Sequence, residues 1–455
     1  MHMTLSSETS KPSAIFTEGS TMRHVLAMTG AASIGLMSIF VVDLLSLLYV
    51  SRLGDPDLTA AVGFATQLLF FSVSINIGLA IAIGALVSRA IGAGQRPAAR
   101  RLAASGLVHV FVISALVSCA ALPFRRDILE LLGASGEALD VASTYLLFTL
   151  PATVGLGLGM ALAGLLRAVG DARQAMYVTL SGAVATAILD PIFIFGLGLG
   201  VEGAAIVTIF SRIIFVVVGL TGAVYKHDLI ALPRGGAAIS DAPALMRIAI
   251  PAILTNVAAP AANAYSMRIF AHFGEPVVAA FAIMDRITPV AFGVLFALSG
   301  SVGPIMGQNL GARLYDRIRQ ILTNSFAFAA VYVVAVALIL SQASPLIIGV
   351  FAARGQTAEL LNFFCLTCGG LWFFLGGIFV ANASFNNLGF PVLSTLFNWG
   401  RATVGTIPFV TIGAARFGPE GGFIGLIAGA TLFGVFAVVM AYFVTARLAR
   451  DSKDG

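Results

Sequence analysis

The sequence predicts an all-α polytopic membrane protein: twelve transmembrane helices in two parallel six-helix repeats, which form two lobes around a central cleft. Composition is the first observation behind this prediction. Of 455 residues, 58% are hydrophobic and only 10% are charged, against roughly 25% charged in soluble domains. A mean hydropathy of +0.98 leaves no room for a sizeable soluble domain. The few Lys and Arg residues therefore report membrane topology, and the pI near 9.3 does not indicate a nucleic-acid partner.

Internal repetition is the second observation. LGDPDLTAAVG from Leu53 returns as FGEPVVAAFAI from Phe273, an offset of 220, and SRAIGAG from Ser88 returns as GQNLGAR from Gly307, an offset of 219. RAVGDARQAM and VEGAA return in the same way as NNLGFPVLST and PEGGF, at offsets of 219 and 218. Because each copy lies in strongly apolar sequence, the duplicated unit is a bundle of membrane helices, which is an architecture typical of transporters.

Apolar runs of about 20 residues, the length that crosses a bilayer, are the third observation. Twelve such runs occur, six in each repeat, and they lie near 25–51, 59–83, 104–124, 141–166, 175–197, 201–225, 244–272, 277–303, 323–343, 357–383, 391–414 and 421–446. An even number of spans per repeat makes both repeats enter the membrane in the same direction. They are therefore parallel, and related by a pseudo-twofold axis along the membrane normal.

Loop charge predicts the orientation and the domain limits. Most Lys and Arg residues fall in the loops on the side of the two termini, which places both termini in the cytoplasm. We expect five segments along the chain: a disordered cytoplasmic tail at 1–23, an N-terminal six-helix lobe at 24–225, a cytoplasmic inter-lobe linker at 226–243, a C-terminal lobe at 244–447, and a tail at 448–455.

Charged residues inside predicted spans cost roughly 2.5–3.5 kcal/mol each on insertion scales, so each needs a reason. The clear cases are Asp43 in span 1, Asp190 in span 5 and Arg212 in span 6. Asp285 and Arg286 lie in span 8, where a structural use is expected, and Arg401 lies in span 11, where it could extend towards a nearby helix end.

Asp43 and Asp190 are expected to converge. A rise of 1.5 Å per residue puts Asp190 and Thr208 at a similar depth, roughly 10 Å below the outer surface, and Asp43 reaches that depth from span 1. Thr186 shares a helical face with Asp190. Two carboxylates in a poorly hydrated pocket repel each other, so one of them favours a proton. The pair can instead hold Na⁺ with Thr208 and its neighbours, or each acid can simply bond a neighbouring helix.

The acid pair occurs in one repeat only. The position that matches Asp43 in the second repeat is Asn263, because both lie eleven residues before the landmark glycine, Gly54 or Gly274. Asp190 falls opposite Ile407 or Pro408. A charge needed only for folding could have stayed in both repeats, whereas a coupling ion needs one site.

Other polar residues are candidates for the substrate cleft. They are Ser46, Asn256, Asn263 and Arg212, of which Arg212 fits better as a counter-ion or helix contact. The five His residues are scattered without metal-ligand spacing, and no nucleotide-binding loop is present, so neither an embedded enzyme nor ATP-driven transport is supported.

The chain resembles the multidrug and toxic compound extrusion (MATE) family from about residue 25 to 446. The motifs that carry the resemblance are VVDLLSLLYVSRLG, AIGALVSRAIGAG, LLRAVGDARQAM, ILDPIFIFGLGLGVEGAAIVT, IPAILTN and PIMGQNLGA. Asp190 and the lack of an acid in span 7 make it similar to the DNA-damage-inducible-protein branch.

The resemblance implies alternating access between two lobes and efflux of amphiphilic or cationic organic compounds, in exchange for inward H⁺ or, as the alternative, Na⁺. It implies that Asp43, Asp190, Ala204 and Thr208 form the cation site. Thr186 replaces the usual asparagine, which weakens the case for Na⁺. We expect a monomer in a bacterial inner membrane, with the lipid bilayer and small organic substrates as its partners, no nucleic acid and no cofactor. A lipid or lipid-linked oligosaccharide flippase of the same superfamily is the competing interpretation.

Overall fold

The chain folds into α-helices throughout the residues that the computed structural model describes, which are 14–53, 56–231 and 236–452. The first repeat contains a 3-10 turn at Ile15–Thr17 and seven helices, of which α4 is short. These are α1 (Thr21–Ser51), α2 (Pro56–Gly92), α3 (Arg96–Ala121), α4 (Arg125–Leu131), α5 (Gly136–Ala168), α6 (Ala172–Pro191) and α7 (Gly200–Leu220).

The second repeat contains six further helices. These are α8 (Ala237–Ala271), α9 (Glu275–Gly311), α10 (Tyr315–Val350), α11 (Gln356–Leu388), α12 (Pro391–Gly400) and α13 (Ile407–Asp451). Single π-helical turns follow α6 at Ile192–Gly196 and α7 at Thr221–Lys226, and a third joins α12 to α13 at Arg401–Gly405.

Eleven stretches of the described chain are long and apolar enough to cross a membrane. The last, Pro391–Asp451, has 61 residues, about 90 Å of helix against a hydrocarbon core of about 30 Å. It breaks at Phe417 and Gly418, whose backbone angles are not helical, and so crosses twice. The prediction of twelve spans is confirmed. The helices are longer than the predicted spans because hydropathy marks only their apolar part, as in α2, which begins at Pro56 and ends at Gly92.

Backbone geometry repeats along with the sequence. Five turn positions of the first lobe adopt positive φ, and each has a counterpart 219 or 220 residues later that also adopts positive φ. The pairs are Gly94 and Arg313, Gly133 and Ala352, Gly136 and Gly355, Gly170 and Gly389, and Gly198 and Gly418. The duplicated unit is therefore a folded six-helix bundle with its turns preserved.

Both ends of the described chain lie on one face of the molecule, here called the terminal face. Asn324, near the start of α10, donates to Thr21 Oγ1 at 2.7 Å, and its neighbour Thr323 contacts the Tyr442 hydroxyl near the end of α13 at 2.9 Å. The lobes meet at this face. Arg89 of α2 caps the end of α11 by donating to Asn387 O at 2.8 Å and to Asn386 O at 3.1 Å.

The predicted disordered tail at 1–23 is wrong for its last part. Residues 14–20 form an ordered segment, here called the N-terminal clasp, and α1 already begins at Thr21; residues 1–13 lie outside the described part. Phe16 is 1% exposed, its backbone N–H donates to Gln308 Oε1 at 3.1 Å, and Gln308 in turn donates to Ala168 O of the other lobe at 2.7 Å. Arg317 donates to the carbonyls of Phe16, Glu18 and Gly19. A polar tail gives no periodic signal, so the buried Phe16 was missed.

The segment that joins the lobes is fastened to the first lobe by ion pairs. Lys226 and His227 lie 2.6 and 2.8 Å from Asp171, which caps α6. Asp228 pairs with Arg100 at 2.8 Å and with Arg96 at 3.5 Å. The predicted linker, 226–243, ends earlier than expected because α8 starts at Ala237, and residues 232–235 lie outside the described part.

Candidate functional site

The candidate site lies where α1, α5, α6 and α7 approach each other inside the first lobe, in the half remote from the terminal face. Pro191 has no backbone N–H to donate, and a π-helical turn follows it, so α6 ends irregularly one residue after Asp190. The chain then reverses at Gly198, whose φ of 67° suits glycine. This tight turn brings α7 back beside α6 and sets Thr208 near the level of Asp190.

Asp190 is the buried acid of the pair, at 1% exposure. Ser46 of α1 donates a hydrogen bond from its hydroxyl to Asp190 Oδ2. Ser46 was expected to line the substrate cleft, but the structure assigns its hydroxyl to the carboxylate. A serine three residues after Asp43 lies on the same helical face, so α1 presents a carboxylate and a hydroxyl together.

Asp43 is close enough to Asp190 for their charges to interact. It is also within range of the Arg212 guanidinium on α7. Asp43 is an exposed residue, whereas Asp190 is buried. The predicted role of Arg212 as a counter-ion agrees with this arrangement. Its guanidinium carbon also lies 5.1 Å from the centre of the Phe215 ring.

Tyr145 of α5 belongs to the same cluster and was not predicted. It lies within range of the Thr208 side chain and of the charges of Asp43, Asp190 and Arg212. Its depth in the membrane could have indicated this position, because Tyr145 lies nine residues after the start of α5 at Gly136, or about 14 Å along the helix. The depth estimate that located the acids, applied to α5, would have located this phenol.

The two threonines expected to support a cation site use their hydroxyls within their own helices. Thr186 donates to Gly182 O at 3.0 Å, and Thr208 donates to Ala204 O at 3.1 Å. Ala204 itself is buried. The hydroxyl oxygens keep lone pairs, and Thr208 lies within range of Tyr145.

Asn256 and Asn263 lie on α8 in the second lobe, away from the acid pair. Asn256 donates to Ala252 O of its own helix at 2.8 Å, and Asn263 is exposed. Asp285 and Arg286 of α9 are both exposed. The acid pair is thus confined to the first lobe, as the repeat comparison predicts.

Chemically, the cluster holds two carboxylates and one guanidinium, so it carries one net negative charge when both acids are ionised. One proton would neutralise it. The hydroxyls of Ser46 and Tyr145 can donate to a carboxylate or accept from a carboxylic acid, so they can follow a change of protonation without leaving an unsatisfied group.

Comparison with known proteins identifies the family. The MatE family model matches residues 31–192 and 251–412, which are the two repeats. The chain belongs to the MATE family. The two matches start 220 residues apart, in agreement with the repeat offset.

Full-length relatives of this MATE protein are transporters. It is 29% identical over 441 residues to the FAD transporter of Shewanella oneidensis, covering 95% of this chain and 96% of the relative. It is 24% identical to the multidrug export protein MepA of Staphylococcus haemolyticus, covering 96% of this chain and 97% of the relative. The protein is therefore a multi-pass membrane transporter and not an enzyme.

Solved structures confirm the fold. The outward-facing conformation of a multidrug resistance MATE family transporter superposes with a TM-score of 0.90 at 21% identity, over 96% of this chain and 98% of that chain. A mutant of the Vibrio cholerae MATE transporter VcmN gives 0.88 at 25% identity, over 95% and 97%.

Proposed function

We propose that this MATE protein is a secondary active antiporter that exports amphiphilic or cationic organic compounds in exchange for inward H⁺, by alternating access. The observation that carries the proposal is the cluster of Asp43, Asp190 and Arg212, with Ser46 hydrogen-bonded to Asp190. A cluster with one net negative charge in the interior of a lobe has a physical reason to bind a proton.

Helix α1 links this cluster to the lobe interface. It carries Asp43 and Ser46 in one half, and its middle packs through Met37 and Phe40 against Gly293 of α9 in the other lobe. It runs from Thr21 to Ser51 without a break. A change of charge at Asp43 therefore acts on the helix whose position also sets how the lobes meet, which is the physical requirement for coupling.

Sodium is the alternative coupling ion, at Asp43, Asp190 and Thr208. One feature favours the proton. The Thr186 hydroxyl, where an asparagine is usual, donates within its own helix. Hard cations such as Na⁺ need several oxygen ligands directed at one point.

The orientation follows from loop charge. Arg96, Arg100 and Arg101 lie at the terminal face, and so do Arg89 and Arg317. By the positive-inside rule this face is cytoplasmic, so both termini lie on the cytoplasmic side of a bacterial inner membrane.

The deciding test compares Asp43→Asn with the parent protein in proteoliposomes. We expect Asp43→Asn to abolish substrate efflux driven by a pH gradient while the variant stays folded. Asp285→Asn is the matched control, since it removes a carboxyl from the other lobe, and it should transport normally. Undiminished efflux by Asp43→Asn would reject the assignment. Replacing the pH gradient by a sodium gradient in the same assay distinguishes the two ions.

The relative that transports FAD indicates a second class of cargo. FAD is an amphiphile with a flat aromatic ring and a negatively charged diphosphate, unlike an organic cation. Arg401 of the second lobe, whose Nε is buried without a hydrogen-bond partner, favours adding anionic amphiphiles to the proposed cargo.

A further inference from the structure

Arg401 is a half-buried residue of the second lobe, about halfway across the membrane. It follows α12 ten residues after Pro391, a depth of about 15 Å in a hydrocarbon core of about 30 Å. It lies at the end of α12, whose last residue is Gly400, and the span continues through a π-helical turn. Ser394, Asn398 and Arg401 recur at spacings of four and three residues, so they share one face of the helix. Ser394 and Asn398 are buried.

The other polar groups on this face are satisfied. Ser394 donates to Asn386 Oδ1 at 3.1 Å, and Asn398 Nδ2 donates to Asn382 Oδ1 at 3.0 Å. Arg401 is different, because its Nε is buried without any hydrogen-bond partner. Within residues 14–53, 56–231 and 236–452, Arg401 forms no ion pair with a carboxylate.

Two other half-buried arginines show how a guanidinium is compensated in this protein. Arg212 has Asp43 nearby and lies over the Phe215 ring. Arg89 donates to two carbonyls at the end of α11. A guanidinium in the membrane interior without such partners costs free energy, and it keeps five N–H donors available to a ligand.

The backbone is irregular at the same residue. A π-helical turn begins at Arg401 and ends at Gly405, and the Thr406 hydroxyl donates to Arg401 O at 2.9 Å. Turns of this type interrupt the regular helical hydrogen bonds and often occur at functional sites. The turn and the unpaired guanidinium are independent observations that coincide.

We propose that Arg401 is an anion subsite of the second lobe, which binds a phosphate or carboxylate group of the transported amphiphile. The subsite rests on the proposed export function and narrows its substrate class. A planar guanidinium binds such groups through two parallel hydrogen bonds. The first lobe then holds the proton and the second lobe the acidic group of the cargo. The phosphate of an anionic lipid headgroup offers the same chemistry.

The test uses two flavins that share one ring system. FAD carries a diphosphate and riboflavin carries no phosphate, so their difference isolates the anionic group. Binding to purified protein in neutral detergent is followed by flavin fluorescence anisotropy. We expect Arg401→Gln to weaken FAD binding about 10- to 100-fold, the usual effect of losing a hydrogen bond to a charged group, and to leave riboflavin binding unchanged.

Arg416→Gln is the matched control, because it makes the same substitution at an exposed position of α13, and it should bind both flavins as the parent does. Arg401→Lys keeps the charge but not the two-pronged geometry, so it should weaken FAD binding less. It also provides the comparison if Arg401→Gln does not fold. Equal loss of both flavins, no loss of FAD, or a parent that binds FAD no better than riboflavin would overturn the subsite.

Two further experiments distinguish a lipid from a transported ligand, and failure of the subsite from failure of the proposed function. Thermal stabilisation by phosphatidylglycerol in nanodiscs, lost in Arg401→Gln, would assign the subsite to a lipid headgroup instead of a solute; loss of FAD binding alone assigns it to cargo. Efflux of ethidium, a cation, under a pH gradient should persist in Arg401→Gln. If the parent lacks this efflux, the proposed function fails, whatever the flavins show.

Discussion

Ser46 of α1 donates a hydrogen bond to the carboxylate of Asp190 on α6, and so joins two helices across 144 residues of sequence. Asp190 is nearly inaccessible, so its charge depends on the few donors around it. A carboxylate that loses a donor in such surroundings is destabilised by roughly 1–3 kcal/mol. The bond therefore couples the position of α1 to the state of Asp190.

Ser46→Ala should slow efflux driven by a pH gradient by about tenfold or more, because the ionised form of Asp190 loses a hydrogen bond. The measurement is the initial rate of efflux from proteoliposomes at fixed gradient. Ser46→Thr keeps a hydroxyl and serves as the control, with a rate near that of the parent. Equal rates for Ser46→Ala and the parent would show that the bond is not used in transport.

Asp43 and Arg212 should behave as a coupled pair. Arg212→Gln leaves two acids without a counter-ion, so we expect a lower melting temperature. Asp43→Asn/Arg212→Gln removes both charges and should recover much of that loss. In a double-mutant cycle, the loss of stability in the double variant should be smaller than the sum of the two single losses. Transport should not recover, since the proton site is gone. Additive losses in melting temperature would contradict the pairing.

The N-terminal clasp should hold the terminal face closed. Phe16→Ala removes a fully buried ring, a change that costs about 3 kcal/mol or more at such positions. We expect Ser88→Cys, a buried position on this face, to react at least tenfold faster with a polar maleimide when Phe16 is replaced. The background replaces Cys119, Cys365 and Cys368.

Glu18→Ala is the control for the clasp, because its side chain is exposed in the same segment. It should leave the labelling rate of Ser88→Cys unchanged. Similar acceleration by Glu18→Ala and Phe16→Ala would indicate a general loosening rather than release of a specific contact.

Asp171, at the terminal face outside the membrane, should contribute stability that depends on pH. The hydrogen bond from His227, followed by that from Lys226, holds the pKa of Asp171 well below its usual value of 3.8. Because the pKa is lower in the folded protein than in the unfolded chain, the stabilisation by Asp171 is complete above the unfolded-state pKa. It is lost as pH falls through the folded-state pKa. Asp171→Asn keeps the helix cap, so its melting temperature should be lower than that of the parent at pH 7.

The difference in melting temperature between Asp171→Asn and the parent should narrow as the pH falls below about 4, since the parent then loses its own ion pair. Asp228→Asn is the comparison, because its pairs with Arg96 and Arg100 are largely exposed, and such pairs contribute about 0–1 kcal/mol. A deficit for Asp171→Asn that stays constant down to pH 3 would contradict the role of its charge.

The repeated turns give a prediction about stability. Gly133 has a φ of 97° and open space around the position of a Cβ, while its counterpart Ala352 has a φ of 48°. Gly133→Ala should cost about 1–2 kcal/mol from backbone strain alone, measured by chemical or thermal unfolding. Gly300→Ala, in a helix and equally open, should be neutral or slightly stabilising. A loss of equal size for both would show that strain is not the cause.

Sequence was sufficient for the fold because membrane insertion limits the possibilities. Twelve apolar runs and a repeat of about 219 residues define twelve helices and two similar lobes, and the shared positive φ at Gly170 and Gly389 shows how closely the repeats agree. The helix ends were less accurate, since α2 and α9 extend beyond the apolar stretch that hydropathy detects.

The candidate site was predicted in part. Depth and helical face brought Asp43 and Asp190 together, because charged residues are rare in apolar helices and easily recognised. Tyr145 was missed because an aromatic residue in a membrane helix is common. The hydroxyl of Ser46 could be assigned to Asp190 only from coordinates, because which two side chains bond depends on helix rotation. The branch of the MATE family stays a prediction.

Both ends of the described chain, and the segment around Asp228 that connects the lobes, lie on the same face. Cutting the polypeptide there would disturb no helix that crosses the bilayer. The two halves of the gene could then be expressed as separate subunits that assemble in the membrane, and ancestral versions of the protein could have worked as dimers of a six-helix unit. Such a split protein would allow the acidic half and the half with Arg401 to be exchanged independently between relatives.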